Sequence, residues 1–194
     1  MQREEKKLGK ILVMAFMAFT LVGMTFSFVF YGFSSAEQKV KYKDFKFVYN
    51  QQSQAWMVKV QDKYAAFSFL PDEVRGMNIT ADLAMLRQKP EIDSTYDLND
   101  TNADVIALAQ HQMGLTFQNY DVFLRAGAIS ENSYNLPVIN CSIATPNIPV
   151  IYFRTSNLTM ISQQGSCIII ESNRDVNFLM AKDRILYSIL GILG

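Results

Sequence analysis

Residues 11–36 form an uncharged run of 26 residues dense in Phe, Met, Leu and Val. No other feature constrains this chain as strongly. About 20 apolar residues cross a bilayer core as a helix. The stretch 11–33 supplies 23, enough to span with some tilt. Its polar members Thr20, Thr25 and Ser27 can bond back to helix carbonyls, so none needs water. Tyr31 and Phe33 stand where interfacial aromatics are expected. A competing expectation is cleavage: Ser34-Ser35-Ala36 resembles a small-residue signal-peptide site, which would release a secreted domain near Ala36. The apolar run exceeds the roughly 7–15 residues of a signal-peptide core, which favours a retained signal anchor.

The remainder is charged but balanced. The chain holds 18 Lys/Arg against 18 Asp/Glu, and phosphate binding needs a basic excess. Nucleic acid is therefore not an expected partner. Orientation is nearly tied by charge, with Arg3, Lys6, Lys7 and Lys10 before the span and Lys39, Lys41, Lys43 and Lys46 after it. A short leading tail needs no translocation, so the expectation is a cytoplasmic N-terminus and a domain outside the cell membrane. The four lysines after the span have two readings. They could contact anionic headgroups of the lipid bilayer, or they could guard a sheet edge.

Cys141 and Cys167 are the only cysteines and lie in apolar, strand-like surroundings. In an oxidising compartment such a pair reads as one disulfide; two buried free thiols are the other reading. Four Asn-x-Ser/Thr triplets begin at Asn78, Asn99, Asn140 and Asn157, which are glycosylation acceptors only in an exported chain. Asn140 adjoins Cys141 in an expected strand, leaving Asn78, Asn99 and Asn157 as the candidate acceptors.

Local patterns predict an α/β (α+β) domain. Phe45, Phe47 and Tyr49 alternate with Asp44, Lys46 and Asn50, Trp56, Val58 and Val60 alternate with Met57, Lys59 and Gln61, and residues 64–70 form a third strand ended by Pro71. This is a β-meander. Thr80 is placed to cap a helix over 81–88. A strand over 92–98 precedes a helix with a Thr101/Asp104 capping box. That helix carries Ile106, Ala109, Met113 and Phe117 on one face. A strand over 122–129 completes a βαβ unit, with Gly127 marking a bulge or close packing. Short strands follow over 138–142, 149–154, 158–162 and 167–171. Ser172 or Asp175 is placed to cap a C-terminal amphipathic helix over 176–193, whose apolar face holds Phe178, Leu179, Ile185, Leu186, Ile189 and Leu193. The expected organisation is a cytoplasmic tail over 1–10, a transmembrane helix over 11–33, a juxtamembrane linker over 34–43 and an extracytoplasmic domain over 44–194.

Little in the sequence carries chemistry. His111 is the only histidine, so any Ser-His-Asp triad would need it, and no nucleophile elbow is present. With two cysteines it leaves no set of soft ligands for zinc. Asp97, Asn99 and Thr101 match the opening of a calcium loop. Asn102 and Leu108 stand where that loop needs glycine and glutamate. No metal, cofactor or catalytic residue is therefore assigned. A carboxylate hydrolase would need two facing acids, and no pair stands out.

The pattern Val138-Ile139-Asn140-Cys141, with Ala144-Thr145, Pro149-Val150-Ile151 and the run from Gly165 to Ile170, resembles one family. So does the segment from Asp183 to Ile192. With the single N-terminal span, the chain resembles uncharacterised single-pass membrane proteins of small-genome (DPANN-type) archaea. The resemblance implies an anchored extracytoplasmic domain with paired cysteines and brings no catalytic residues. The expected function is an anchored module for protein interaction or envelope assembly, with a partner in the envelope. The alternatives are a membrane-tethered hydrolase and a secreted domain.

Overall fold

The computed structural model of the protein describes Thr20 and residues 38–193. The expected tail, transmembrane helix and cleavage site therefore lie outside the described residues. Among the described residues, no helix is long and apolar enough to cross a membrane. The chain divides into two compact units, Met1–Gln38 and Lys39–Gly194, and the second holds both sheets described below.

The first sheet is the expected meander. Strands β1 (Lys39–Tyr42), β2 (Phe45–Asn50), β3 (Ala55–Val60) and β4 (Lys63–Phe67) pair antiparallel in chain order. Alternation decides its buried face, because successive strand residues point to opposite sides. Phe47 lies opposite Val58, and Val58 opposite Ala65, all buried. The sheet starts earlier than expected, since Lys39–Tyr42 of the presumed linker is a strand. It also ends earlier. β4 stops at Phe67, and Pro71 opens a short helix, α1 (Pro71–Val74), where its fixed φ suits the first turn.

The second sheet has the order β6-β5-β7-β9-β8, with β5 (Glu91–Tyr96), β6 (Phe123–Ala128), β7 (Val150–Thr155), β8 (Met160–Gln164) and β9 (Cys167–Ser172). The pairs β5–β6, β5–β7 and β7–β9 are parallel and β8–β9 is antiparallel. This sheet is mixed, and the meander is a sheet separate from it. Helices α2 (Ala103–Asn119) and α3 (Asp175–Ile189) contact both sheets and each other. Ile106, Ala109, Met113 and Phe117 of α2 are all buried as the periodicity predicts. Phe178 of α3 meets Phe153 of β7, while Tyr187 stacks on Phe67 of the meander at 4.0 Å.

Three local expectations change. Thr80 caps no helix over 81–88, because residues 78–80 are drawn onto β8, where the Thr80 N–H donates to the Ile161 carbonyl. A 3-10 turn over Leu83–Leu86 forms instead, and Asp82 accepts from its Ala84 N–H. The Thr101/Asp104 box is not made. Asn102 is the N-cap of α2, and Asp100 is the acid that accepts its N–H. The expected strand over 138–142 contributes one bridge, Ala128 with Val138, and then a 3-10 turn over Cys141–Ile143 capped by Asn140. At α3, Arg174 is the N-cap, and Ser172 accepts the Arg174 N–H.

The back of the second sheet is covered by that irregular segment. Ile139, Val150, Cys167 and Ile169 form a small core of their own. Cys141 and Cys167 are joined as a disulfide. Closing a loop of 26 residues stabilises by about 3 kcal/mol in the chain-entropy model. Gly127 lets the segment lie close, since a Cβ there would stand 2.5 Å from the Pro137 carbonyl oxygen.

Candidate functional site

Open α/β sheets bind ligands beyond the carboxyl ends of their strands, where the strand order reverses. Here that point lies between β5 and β7. It is closed by the protein's own groups. Asp100 accepts the Thr155 N–H at 2.9 Å and the Asn102 N–H at 2.8 Å, and the Thr155 hydroxyl also donates to it. Asn102 Nδ2 in turn donates to Thr155 Oγ1 at 2.6 Å. Burial raises the Asp100 pKa, but the Thr155 and Asn102 donors outweigh it and hold the carboxyl below its usual range. Asp97 is occupied in a local turn, accepting the Asn99 N–H. Among the described residues no group of His, Cys, Asp or Glu could hold a metal ion.

The open surface lies along α2. Leu108, His111 and Leu115 occur at i, i+3 and i+7, so they share one stripe of the helix. Leu108 is 45 % exposed and Leu115 is 53 % exposed. Tyr64 of β4 and Phe123 of β6 continue the apolar surface with exposures of 58 % and 62 %. A cleft lies on each side of the stripe. The first, about 350 Å³, runs between the β3–β4 end of the meander and α2. The second, about 480 Å³, runs between α2 and β6. His111 and Leu115 line both. Among the described residues, neither lining includes a carboxylate.

Lys182 reaches the first cleft from α3 and is 1 % exposed. It forms an ion pair with Asp183, which is fully buried. Asp183 Oδ2 accepts the N–H groups of Ser68 at 2.8 Å and Phe69 at 2.9 Å. The Tyr187 hydroxyl donates to the Phe69 carbonyl at 2.6 Å. One turn of α3 thus grips the chain just after β4. Burial pushes the Asp183 pKa up against the lowering by Lys182 and the two backbone donors. Sequence reasoning missed this pair. Its available signal was a charged triplet, Lys182-Asp183-Arg184, set inside a largely apolar helix.

The other predicted residues are scattered rather than gathered. Lys39, Lys41, Lys43 and Lys46 are exposed on β1, β2 and the turn joining them, with Lys41 directly opposite Lys46. Asn78, Asn99 and Asn157 are exposed, each in a separate loop. Asn140 is half-buried and its side chain accepts from Ser142. Cys141 and Cys167 lie on the back of the second sheet as a bridge. No family model matches the chain, and no curated protein or solved structure matches it.

Proposed function

We propose that this protein is a membrane-anchored extracytoplasmic module that binds a protein partner of the envelope through the exposed face of α2. The observation that carries this reading is the apolar stripe of Leu108 and Leu115, continued by Tyr64 and Phe123. Contiguous exposed apolar surface of this kind is a mark of interaction sites. The Cys141–Cys167 bridge suits an oxidising compartment, and three exposed glycosylation triplets are compatible with export. The uncharged run over 11–33 supports the anchor in the cell membrane, with a cytoplasmic N-terminus. The hydrolase alternative has no support from the clefts, since among the described residues their linings hold no acid to pair.

A photo-crosslinking residue placed at Leu115 in native cells tests the reading. The expected result is a discrete adduct with an envelope protein that Leu108→Asp abolishes. No adduct, or one indifferent to Leu108→Asp, would overturn it. Carbonate extraction and N-terminal sequencing test the anchor. A mature chain starting at Glu37 would replace it with the secreted form.

A further inference from the structure

The second cleft borders the outer edge of β6. Strand β6 has one neighbour, β5. Its odd-numbered residues turn their backbone groups toward that neighbour: the Phe123 N–H donates to Pro90, and beyond the strand the Ile129 N–H donates to Tyr96. Consecutive strand residues turn these groups to opposite edges. Leu124, Ala126 and Ala128 therefore direct N–H and C=O away from the sheet. Ala128 is satisfied: its N–H donates to the Pro137 carbonyl at 3.0 Å, and its carbonyl accepts from the Ile139 N–H at 2.8 Å. Leu124 and Ala126 have no such backbone partner among the described residues. The next donor back along this edge, the Val122 N–H, is taken by the Phe117 carbonyl.

We propose that Leu124 and Ala126 of the β6 edge accept an extended peptide segment of a protein partner as an added strand of the second sheet. The inference deepens the interaction reading above and rests on it. The protein already makes this contact with itself, because residues 137–139 lie on the edge at Ala128 as a parallel stub. An added strand would fill the adjacent open positions, and backbone donors and acceptors are what these positions lack. Only an extended chain offers both at the right repeat. The edge also has none of the usual guards. Its sequence, FLRAGA, holds no lysine or proline. Its one charge, Arg125, is turned aside and held by Asp93 through two hydrogen bonds, at 2.7 and 2.6 Å. The cleft beside it gives side-chain selection. Gly114, Leu115 and Leu124 form an apolar groove with β6 as one wall. Alternate residues of the added strand would reach it, so the expected ligand has small or branched apolar residues at every second position.

The test uses the full chain in detergent micelles and a blocked hexapeptide of alternating valine and threonine as probe. The wild-type protein is expected to bind it and to protect the Leu124 and Ala126 amides from hydrogen exchange. Ala126→Pro removes the outward donor at an edge position where proline is tolerated. It is expected to weaken binding about tenfold or more, while Ala126→Ser, which keeps the N–H, leaves binding unchanged. The same peptide N-methylated at alternate amides serves as a second measure that does not depend on a variant folding. Absence of wild-type binding, equal binding by Ala126→Pro, or equal binding of the methylated peptide would each overturn strand addition. An adduct at residue 115 that survives Ala126→Pro would leave the interaction module standing and the strand proposal refuted. Peptide binding without any such adduct would do the reverse.

Discussion

The two sheets share one pair of helices, yet they are fastened and finished in different ways. The meander is held by a buried charge: Asp183 takes two N–H groups just after β4 and Tyr187 takes the Phe69 carbonyl. The second sheet is held on its far face by a covalent bridge and by the close fit of residues 137–139 at Gly127. Their outer edges differ in the same spirit. β1 places Lys39 and Lys41 on an exposed edge strand, with Lys46 opposite Lys41, and charge of this kind discourages strand pairing. β8 is covered by residues 78–80. The β4 edge is met by side chains from the end of α2, with Asn119 donating to the Tyr64 carbonyl. At β6 two consecutive outward positions, Leu124 and Ala126, lack both a charge and a hydrogen-bond partner among the described residues. That open stretch is informative, because an unguarded edge is a hazard unless something pairs with it.

Breaking the charged fastening has the largest expected effect. Asp183→Ala leaves Lys182 buried without its partner and frees two N–H groups, so we expect a loss of about 3–5 kcal/mol in denaturant unfolding. The double variant Lys182→Met/Asp183→Asn keeps an acceptor for Ser68 and Phe69 and removes both charges. It is expected to recover most of that loss, since a buried ion pair replaced by neutral groups is often neutral in stability. The pH dependence has a defined sign. The Asp183 pKa is raised in the folded protein, so the folded state binds its proton more tightly than the unfolded chain. This contribution is fully present below the ordinary value of 3.8 and fades as pH rises through the folded pKa. Asp100, whose pKa is lowered, acts oppositely: its contribution is present above 3.8 and is lost as pH falls through its folded pKa. Stability curves of the double variant and of Asp100→Asn against wild type separate the two.

The covalent fastening comes next. Cys141→Ser with Cys167→Ser should lower stability by about 3 kcal/mol. Hydrogen exchange should rise over residues 137–144 while the Ser68 and Phe69 amides stay protected; equal loosening of both would erase the distinction between the sheets. Gly127→Ala forces a Cβ toward the Pro137 carbonyl, an overpacking expected to cost about 1–3 kcal/mol. Faster exchange at the Ala128 and Ile139 amides would locate the damage at the stub. The smallest effect on stability belongs to Lys39→Thr with Lys41→Thr, within about 0.5 kcal/mol as for other surface changes. Its signature is association: sedimentation should show concentration-dependent self-pairing through the unguarded β1 edge. A monomeric double variant would remove the guarding role of these lysines.

The meander was legible because its signal is local. Phe45, Phe47 and Tyr49, then Trp56, Val58 and Val60, stand at every second position, and this period by itself assigns a strand and a candidate buried face. The buried face of α2 was legible for the same reason, with period 3.6 in place of 2. Gly127 marks a bulge or a close approach in the sequence, and the structure shows the close approach, to the Pro137 carbonyl. The expected elements that changed are those where a distant partner outbid a local preference. Thr80 would cap a helix on local chemistry, but Ile161 takes its N–H. Residues 138–142 have strand composition. Yet Thr95 donates to the Ile139 carbonyl and Cys141 must reach Cys167, so the segment crosses the back of the sheet. The Lys182–Asp183 pair was hidden because a charged dipeptide on a helix ordinarily faces water, and only the segment following β4 makes it a buried grip.

By itself the sequence determined the apolar run over 11–33, the strand and helix faces, and the two thiols available to pair. Each follows from residue chemistry and short-range period, which need no knowledge of the partner. The tertiary structure decided that the meander is a sheet of its own, that Asp183 serves β4, and that β6 stands at an edge with Leu124 and Ala126 facing outward. These follow from strand order and register. Backbone hydrogen-bonding groups are the same at every residue, so no side chain announces which of them the fold will leave open.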